Sequence, residues 1–318
     1  IYDLIKSDLV FAAENLPISW EAKFAGRLTS DAAKSMLGKV LCQQRQYAQA
    51  LPYLREVIES NRYTLVDDYY KIYKTSGELG SESIFEIQAS KSAGDGNTYW
   101  SRLGQCQGVR GGSGEWDLGW GWNTPTADLV NSYEAGDKRK TATILYSGQS
   151  DGGEATGGYG QTLPNLSNAL YWNKKVYNKY SDYLAAGLGT PNNEAQNTWI
   201  NHRVLRLGDV MLLGAEAANE VGGAQNTSDA ETWVNKIRTR AGLPNVSYTD
   251  QATFRTIIKK ERRAEMAMDY DRFFDLVRWN DAISVLGPLG YQNKHRYYPI
   301  PTPALNGNPN LTQNPEWP

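Results

Sequence analysis

The sequence predicts a mainly α protein, a scaffold of tetratricopeptide-like helical hairpins interrupted by a loop-rich insertion that contains short strands. Three observations carry this. Apolar residues recur at spacings of three and four across residues 1–66 and again across 201–318, the period of an amphipathic helix. Across 67–200 that period fades, glycine becomes frequent, and two stretches, 92–121 and 147–160, are almost wholly turn-forming. In the helical parts, small and large residues fall where paired helices need them: Leu37, Gly38, Leu41, Ala50 and Leu54 in one pair, Leu213, Gly214 and Ala230 in another. Three stacked hairpins would bury a continuous core.

The elements follow in order. An amphipathic helix over 1–15 is stopped by Leu16 and Pro17 and supplies the third hairpin unit. Thr29, Ser30 and Asp31 are candidate caps for a helix to about residue 46, and another helix covers 47–60. Inside the insertion, alternation over 84–88 and 141–146 reads as strand, and 128–133 as a short helix. Helices are expected over 204–220 and 229–241. Residues 257–279 carry two apolar rows, Ile257, Ile258, Met266 and Met268, then Phe273, Leu276 and Val277. The rows break at Asp269, Tyr270 and Asp271, so two helices meet at a tight corner. The six prolines of 296–318 predict a non-helical strap laid over the helices. The chain thus divides into 1–66, helical; 67–200, an insertion and candidate ligand-binding face; and 201–318, helical with an extended tail.

Charge and composition exclude several function classes. With a net charge of -2 and scattered Lys and Arg, the chain offers no phosphate-binding surface, so nucleic acid is not expected as a partner. The longest apolar run, near 210–218, is broken by Glu216 and is too short to span a bilayer. Cys42 and Cys106 read as two free thiols. His202 and His295 stand far apart without metal-ligand spacing, and no phosphate loop or nucleophile elbow is present. No cofactor is expected; the one opening toward a structural calcium ion is Asp95-Gly96-Asn97, which lacks a closing acid.

The corner is dense in charge. Glu261 and Glu265 share one helix face and Asp275 and Arg278 the next. These residues admit two readings, an acid/base pair or a structural ion-pair network. Lys259, Lys260, Arg262, Arg263, Arg272 and Arg278 stand close enough in sequence to keep every carboxylate ionised, which favours the network.

Glu261, Arg262, Arg263, Glu265, Arg272, Asp275, Leu276, Arg278 and Trp279 resemble the signature ERR-x-EL-x-x-EG-x-R-x-x-DL-x-RW of the SusD/RagB family of outer-membrane nutrient-binding lipoproteins, the starch-utilisation-like group. Asp269 replaces the usual Glu and Tyr270 the usual Gly, so the corner's backbone is expected to differ. Trp120, Pro125, Thr126, Asp128, Leu129, Val130, Tyr133, Asp137 and Arg139 match a second family segment. Pro299, Ile300, Pro301, Asn308, Pro309, Asn310, Leu311, Gln313, Asn314 and Pro315 match the family's terminal one. The opening stretch is similar to a helix well inside family members, which implies that the family's N-terminal part, with its lipid anchor, lies outside this chain.

The resemblance implies a non-enzymatic, cell-surface glycan-binding protein of the outer membrane. It would hand oligo- or polysaccharide to a TonB-dependent transporter of the SusC type and touch the membrane only through that anchor. The rivals are a peptide importer component of the RagB kind, a protein-interaction scaffold, and a glycoside hydrolase using Glu115 and Asp117.

Twenty Tyr and ten Trp against six Phe favour half-wet aromatic surfaces. Tyr99, Trp100, Trp116, Trp120, Tyr159 and Trp172 lie in or beside the glycine-rich loops, with Asn97 and Arg102 as polar partners; these are the candidate ligand-binding residues. A pyranose stacks its C–H face on such rings and needs fixed polar groups at its rim. The competing reading makes the rings loop anchors. Trp120 and Trp122, inside a family segment, lean toward anchoring, while Trp100 and Trp116 divide evenly.

Overall fold

The computed structural model describes residues 1–89, 101–112, 116, 119–177 and 200–318. Its helical frame begins with α1 (Tyr2–Asn15), α2 (Ser30–Gln43) and α3 (Tyr47–Glu59). Of the three candidate caps it is Thr29 that accepts the Ala32 amide at the start of α2. After the insertion come α7 (Leu207–Val221), α8 (Ala224–Arg240), α9 (Gln251–Glu265), α10 (Arg272–Arg278), α11 (Ala282–Leu286) and α12 (Thr302–Gly307). The insertion holds β1 (Ser83–Ile87), α4 (Leu103–Gln107), α5 (Ala127–Ser132), α6 (Lys138–Thr143), β2 (Ile144–Tyr146) and β3 (Tyr171–Asn173), and β4 (His202–Arg206) closes it.

The frame is mainly α with helical hairpins, as expected, and its small residues explain the packing. A methyl group on Gly38 would sit 2.4 Å from Leu54 Cδ2, and one on Gly214 2.6 Å from Ile58 Cδ1. Glycine at both places lets α2 meet α3, and α3 meet α7, at backbone range. One continuous core joins Leu37, Leu41, Leu54, Val57, Leu212, Leu213, Trp233, Val234, Ile237 and Phe254. The opening unit differs from expectation: α1 has no hairpin partner of its own and lies against α2, with Ala13 its one buried residue.

Two small antiparallel sheets shape the insertion. β1 pairs with β4 through Ser83↔Arg206 to Ile87↔His202, bringing together residues more than a hundred positions apart. β2 pairs with β3 through Ile144↔Asn173, Leu145↔Trp172 and Tyr146↔Tyr171. Three sequence expectations are corrected here. Residues 141–146 are half helix and half strand, because Asp137 caps α6 by accepting the Arg139 amide. The helix expected from 204 starts at Leu207, since Val204 to Arg206 are held in the ladder to β1. The proline-rich tail does contain one short helix, α12, in which Pro303 falls in the first turn, where no intrahelical N–H is lost.

The corner forms where expected, between α9 and α10. Met268 and Tyr270 both take left-handed backbone, φ 66° and 72°, which in Tyr270's case is the conformation the usual Gly adopts at no steric cost.

Candidate functional site

The signature charges are structural. Glu265, fully buried, receives Arg206, Arg240 and, at 3.4 Å, Arg139. Glu82 closes the group from below, 3.1 Å from Arg206 and 2.9 Å from Arg240. Glu261 binds Arg238 and, at 2.9 Å, Arg139. Arg262 spans Asp209 at 2.6 Å and Asp275 at 2.7 Å, while Arg278 reaches Asp275 at 2.9 Å and Glu216 at 2.7 Å. The Trp279 indole N–H donates to Glu216 at 2.9 Å, and Arg263 pairs with Asp128.

Burial alone would push Glu265 up, but Arg240, Arg206 and Arg139 outweigh it and hold the carboxyl well below its usual range. Asp209 is likewise pushed up by burial and held low overall by Lys39 and Arg262. Asp271 differs from these two in direction. Burial and the neighbouring Asp209 push its carboxyl up, with Lys39 only partly offsetting them. Arg272 is the one signature cation without an ion pair among the described residues, and burial lowers it. Among the described residues Asp269 is the one carboxylate of the corner that lines a recess, and Lys175, Arg206 and Tyr73 all hold it, so the acid/base reading of the corner has no geometry behind it.

The aromatic candidates separate into two sets. Trp172 is a correction. At 1% exposure it is the centre of the insertion's own core with Val109, Leu145, Leu163, Leu166 and Tyr177, and its indole N–H donates to Ser147 Oγ at 2.9 Å. A ring so enclosed has no face for a ligand. Trp116 and Tyr159 are half-buried against the same core, Trp116 stacked on Tyr177 at 6.2 Å and Tyr159 edge-on to it at 5.3 Å. All three read as anchors of the loops.

Trp120 and Trp122 reverse the sequence reading. They are 39% and 58% exposed, with ring centroids 4.9 Å apart and planes tilted by 52°. Their backbone is fixed rather than loose. Gly119, Trp120, Gly121 and Trp122 donate in turn to Val109, Gln105, Gly108 and Cys106, at 2.8, 2.8, 3.1 and 2.8 Å. Gly121, φ 69°, permits this turn over the buried ring, because a methyl group there would stand 3.0 Å from Trp172. The buried Trp therefore supports the exposed pair. Arg102 lies exposed at the start of α4, on the element that pins them. Trp122 was visible in the sequence but left out of the candidate set; the Trp-Gly-Trp spacing around a left-handed glycine was the usable signal.

The glycine-rich stretch 147–160 is ordered by one carboxylate. Asp151 accepts the amides of Tyr159, Gly153, Gly160 and Gln161 at 2.7, 3.0, 3.1 and 3.2 Å, and the Tyr177 hydroxyl at 3.1 Å. Burial pushes this carboxyl up, yet those hydrogen bonds outweigh it and the net shift is down.

Tyr99, Trp100 and Asn97, the calcium-like Asp95-Gly96-Asn97, and Glu115 with Asp117 all lie outside the described residues. Among the described residues no three His, Cys, Asp or Glu are grouped to hold a metal, Cys42 and Cys106 are free, and no helix is long and apolar enough to cross a membrane.

Paired helices closed by a two-stranded stem, with a ring-bearing lobe above, define a helical-hairpin scaffold with a long insertion. The chain belongs to the SusD family, whose model matches residues 81–295. It is 28% identical to SusD-like protein P2 of Formosa agariphila over 99% of this chain and 64% of that protein. To SusD-like protein P25 of the same organism it is 26% identical, over 99% and 63%. The chain thus spans under two thirds of the length of these relatives. Among solved structures, a laminarin binding SusD-like protein superposes with a TM-score of 0.80 at 29% identity, covering 99% of this chain and 68% of the other. Surface glycan-binding protein A from Bacteroides thetaiotaomicron in complex with laminarihexaose shares the fold, with a TM-score of 0.76 at 24% identity over 98% and 70%.

Proposed function

We propose that the chain is the glycan-recognising part of a non-catalytic, cell-surface SusD-like protein, which captures oligo- or polysaccharide at the outer membrane and passes it to a SusC-like TonB-dependent transporter. The observation that carries recognition is the exposed Trp120 and Trp122 pair on a hydrogen-bonded backbone. Two tilted rings at stacking distance offer the C–H faces of neighbouring sugars a curved, pre-ordered platform, with no entropy lost in ordering the loop. Stacking of this kind reads chain shape more than a single linkage, and a repetitive ligand presents many equivalent segments to it. Family membership supports the transporter partner and the surface location, and the laminarin-binding relative makes a β-glucan the first ligand to try.

The test is native electrophoresis through gels containing laminarin or another polysaccharide, with a peptide panel titrated in parallel. Trp120→Ala and Trp122→Ala are each expected to weaken retardation about tenfold, the loss of about 1.4 kcal/mol of stacking. Retention unchanged in both variants would sink the platform, and binding of peptides alone would move the protein to the importer rival.

A further inference from the structure

A second recess, of mixed polar and apolar lining, opens where the insertion meets the corner of the frame, and nothing above assigns it. Tyr73, Lys175, His202, Asp269 and Tyr270 are among the residues that line it. The space between its walls, with the open solvent at its mouth included, is about 540 Å3. Two residues of its wall, Met268 and Tyr270, hold left-handed backbone. Strain of that kind persists only where its surroundings over-determine it, and it gathers at binding sites.

Among the described residues the recess sets three bases, Lys175, His202 and Arg203, against one carboxylate, Asp269. Lys175 spends two of its three N–H bonds, on Asp269 and on the Tyr73 hydroxyl, both at 2.9 Å. Neither ring nitrogen of His202 has a hydrogen-bond partner among the described residues; its ring meets only the edge of Tyr270 at 5.9 Å. The Tyr270 hydroxyl accepts from Gln107 and keeps its own proton. Arg203 is occupied with the carbonyls of Asn201 and Lys74 and has Glu78 and Glu86 at 3.7 Å. Asp269, the one lining carboxylate among the described residues, is shared among Lys175, Arg206 and Tyr73.

We propose that this recess is a second ligand subsite that takes an acidic sugar residue, its carboxylate or sulfate group facing Lys175 and His202 and its ring lying against Tyr270. Burial disfavours the charged form of both bases. Burial holds the Lys175 ammonium down to about 8, with Asp269 opposing and Arg206 assisting that shift. Burial also lowers His202, with Asp269 opposing and Arg203 and Lys39 assisting. An anion in the recess favours the charged form of both through charge-assisted hydrogen bonds. That the anion is carried by a sugar rests on the glycan reading; that an anion fits rests on the recess alone.

The experiment is calorimetric titration of the whole chain with sodium glucuronate, glucose 6-sulfate, glucose and sodium acetate at matched ionic strength. One of the two acidic sugars is expected to bind at least about tenfold tighter than both glucose and acetate, the worth of one charge-assisted hydrogen bond. Which of the two binds distinguishes carboxylate from sulfate. Lys175→Met and His202→Ala are each expected to weaken it about tenfold. The His202 side chain has no hydrogen bond to lose among the described residues, so His202→Ala keeps the test open if Lys175→Met misfolds. Glucose binding as tightly as the acids, or acid binding indifferent to His202→Ala, overturns the proposal. Acetate binding as tightly reduces the recess to an adventitious anion hole and overturns it too. Polysaccharide retention is measured separately: its loss with glucuronate binding intact strikes only the surface platform, and the reverse strikes only this recess.

Discussion

The frame and the insertion each bury a carboxylate at their centre, and they satisfy it in opposite ways. Glu265 is surrounded by guanidinium groups brought from α6, β4 and α8, elements that lie far apart in the chain. Asp151 is surrounded by backbone amides of residues 153–161, its own neighbours, with Tyr177 the one distant donor. The first arrangement ties the fold together across long sequence distances; the second only shapes a loop. Buried guanidinium and carboxylate groups are costly to desolvate and costlier to leave unpaired, so a defect in the frame should spread where one in the insertion stays local.

Four substitutions break or sharpen that contrast. Glu265→Ala leaves Arg240 to Glu82, Arg206 to Glu82 and Asp269, and Arg139 to Asp137 and Glu261; a loss of about 3–5 kcal/mol in urea unfolding is expected, shared by probes in both regions. Retained stability would show that the network is not what joins frame to insertion. Trp172→Ala removes the largest side chain of the insertion's core and should cost about 3 kcal/mol or more, read as early unfolding of the insertion while the far-ultraviolet helix signal persists.

Asp151→Asn should cost about 1–3 kcal/mol, confined to the loop, with faster amide exchange at Tyr159 to Gln161 and unchanged protection in α7. The smallest effect is on pH dependence. The hydrogen bond from Arg238 leads the causes that hold Glu134 from its ordinary 4.5 down to about 2, with Lys260 assisting. A carboxyl whose folded value lies below its unfolded one contributes stability that is full above about pH 4.5 and is lost as pH falls toward about 2. Glu134→Gln should therefore flatten the stability curve in that window, as followed by urea midpoints at successive pH values.

How much the sequence disclosed follows the same division. The frame was legible because helix period, Gly38, Gly214 and the corner charges are local or repeated signals. β3 and β4 were not, since a three- or five-residue strand is defined by a partner elsewhere in the chain, and Val204 to Arg206 run without a break into the apolar face of α7. The aromatic site was legible only as a set of candidates. Trp120 and Trp122 sit among glycines and Trp172 in a polar run, surroundings that do not tell an exposed ring from a covered one, and which ring is covered depends on Leu145, Leu163 and Gly121 converging from separate segments. The recess was missed altogether; Tyr270 in place of glycine marked its position, and His202 gave no motif to follow.

The antiparallel stem of β1 and β4 carries one more consequence. Because the lobe leaves and rejoins the helices at adjacent positions, its tip behaves as an exchangeable cassette: lengthening a loop costs free energy only as the logarithm of its length. Grafting new specificity should thus be tolerated wherever the stem, Arg139 and Lys175 are kept, since those three attachments register the lobe against the helices beneath.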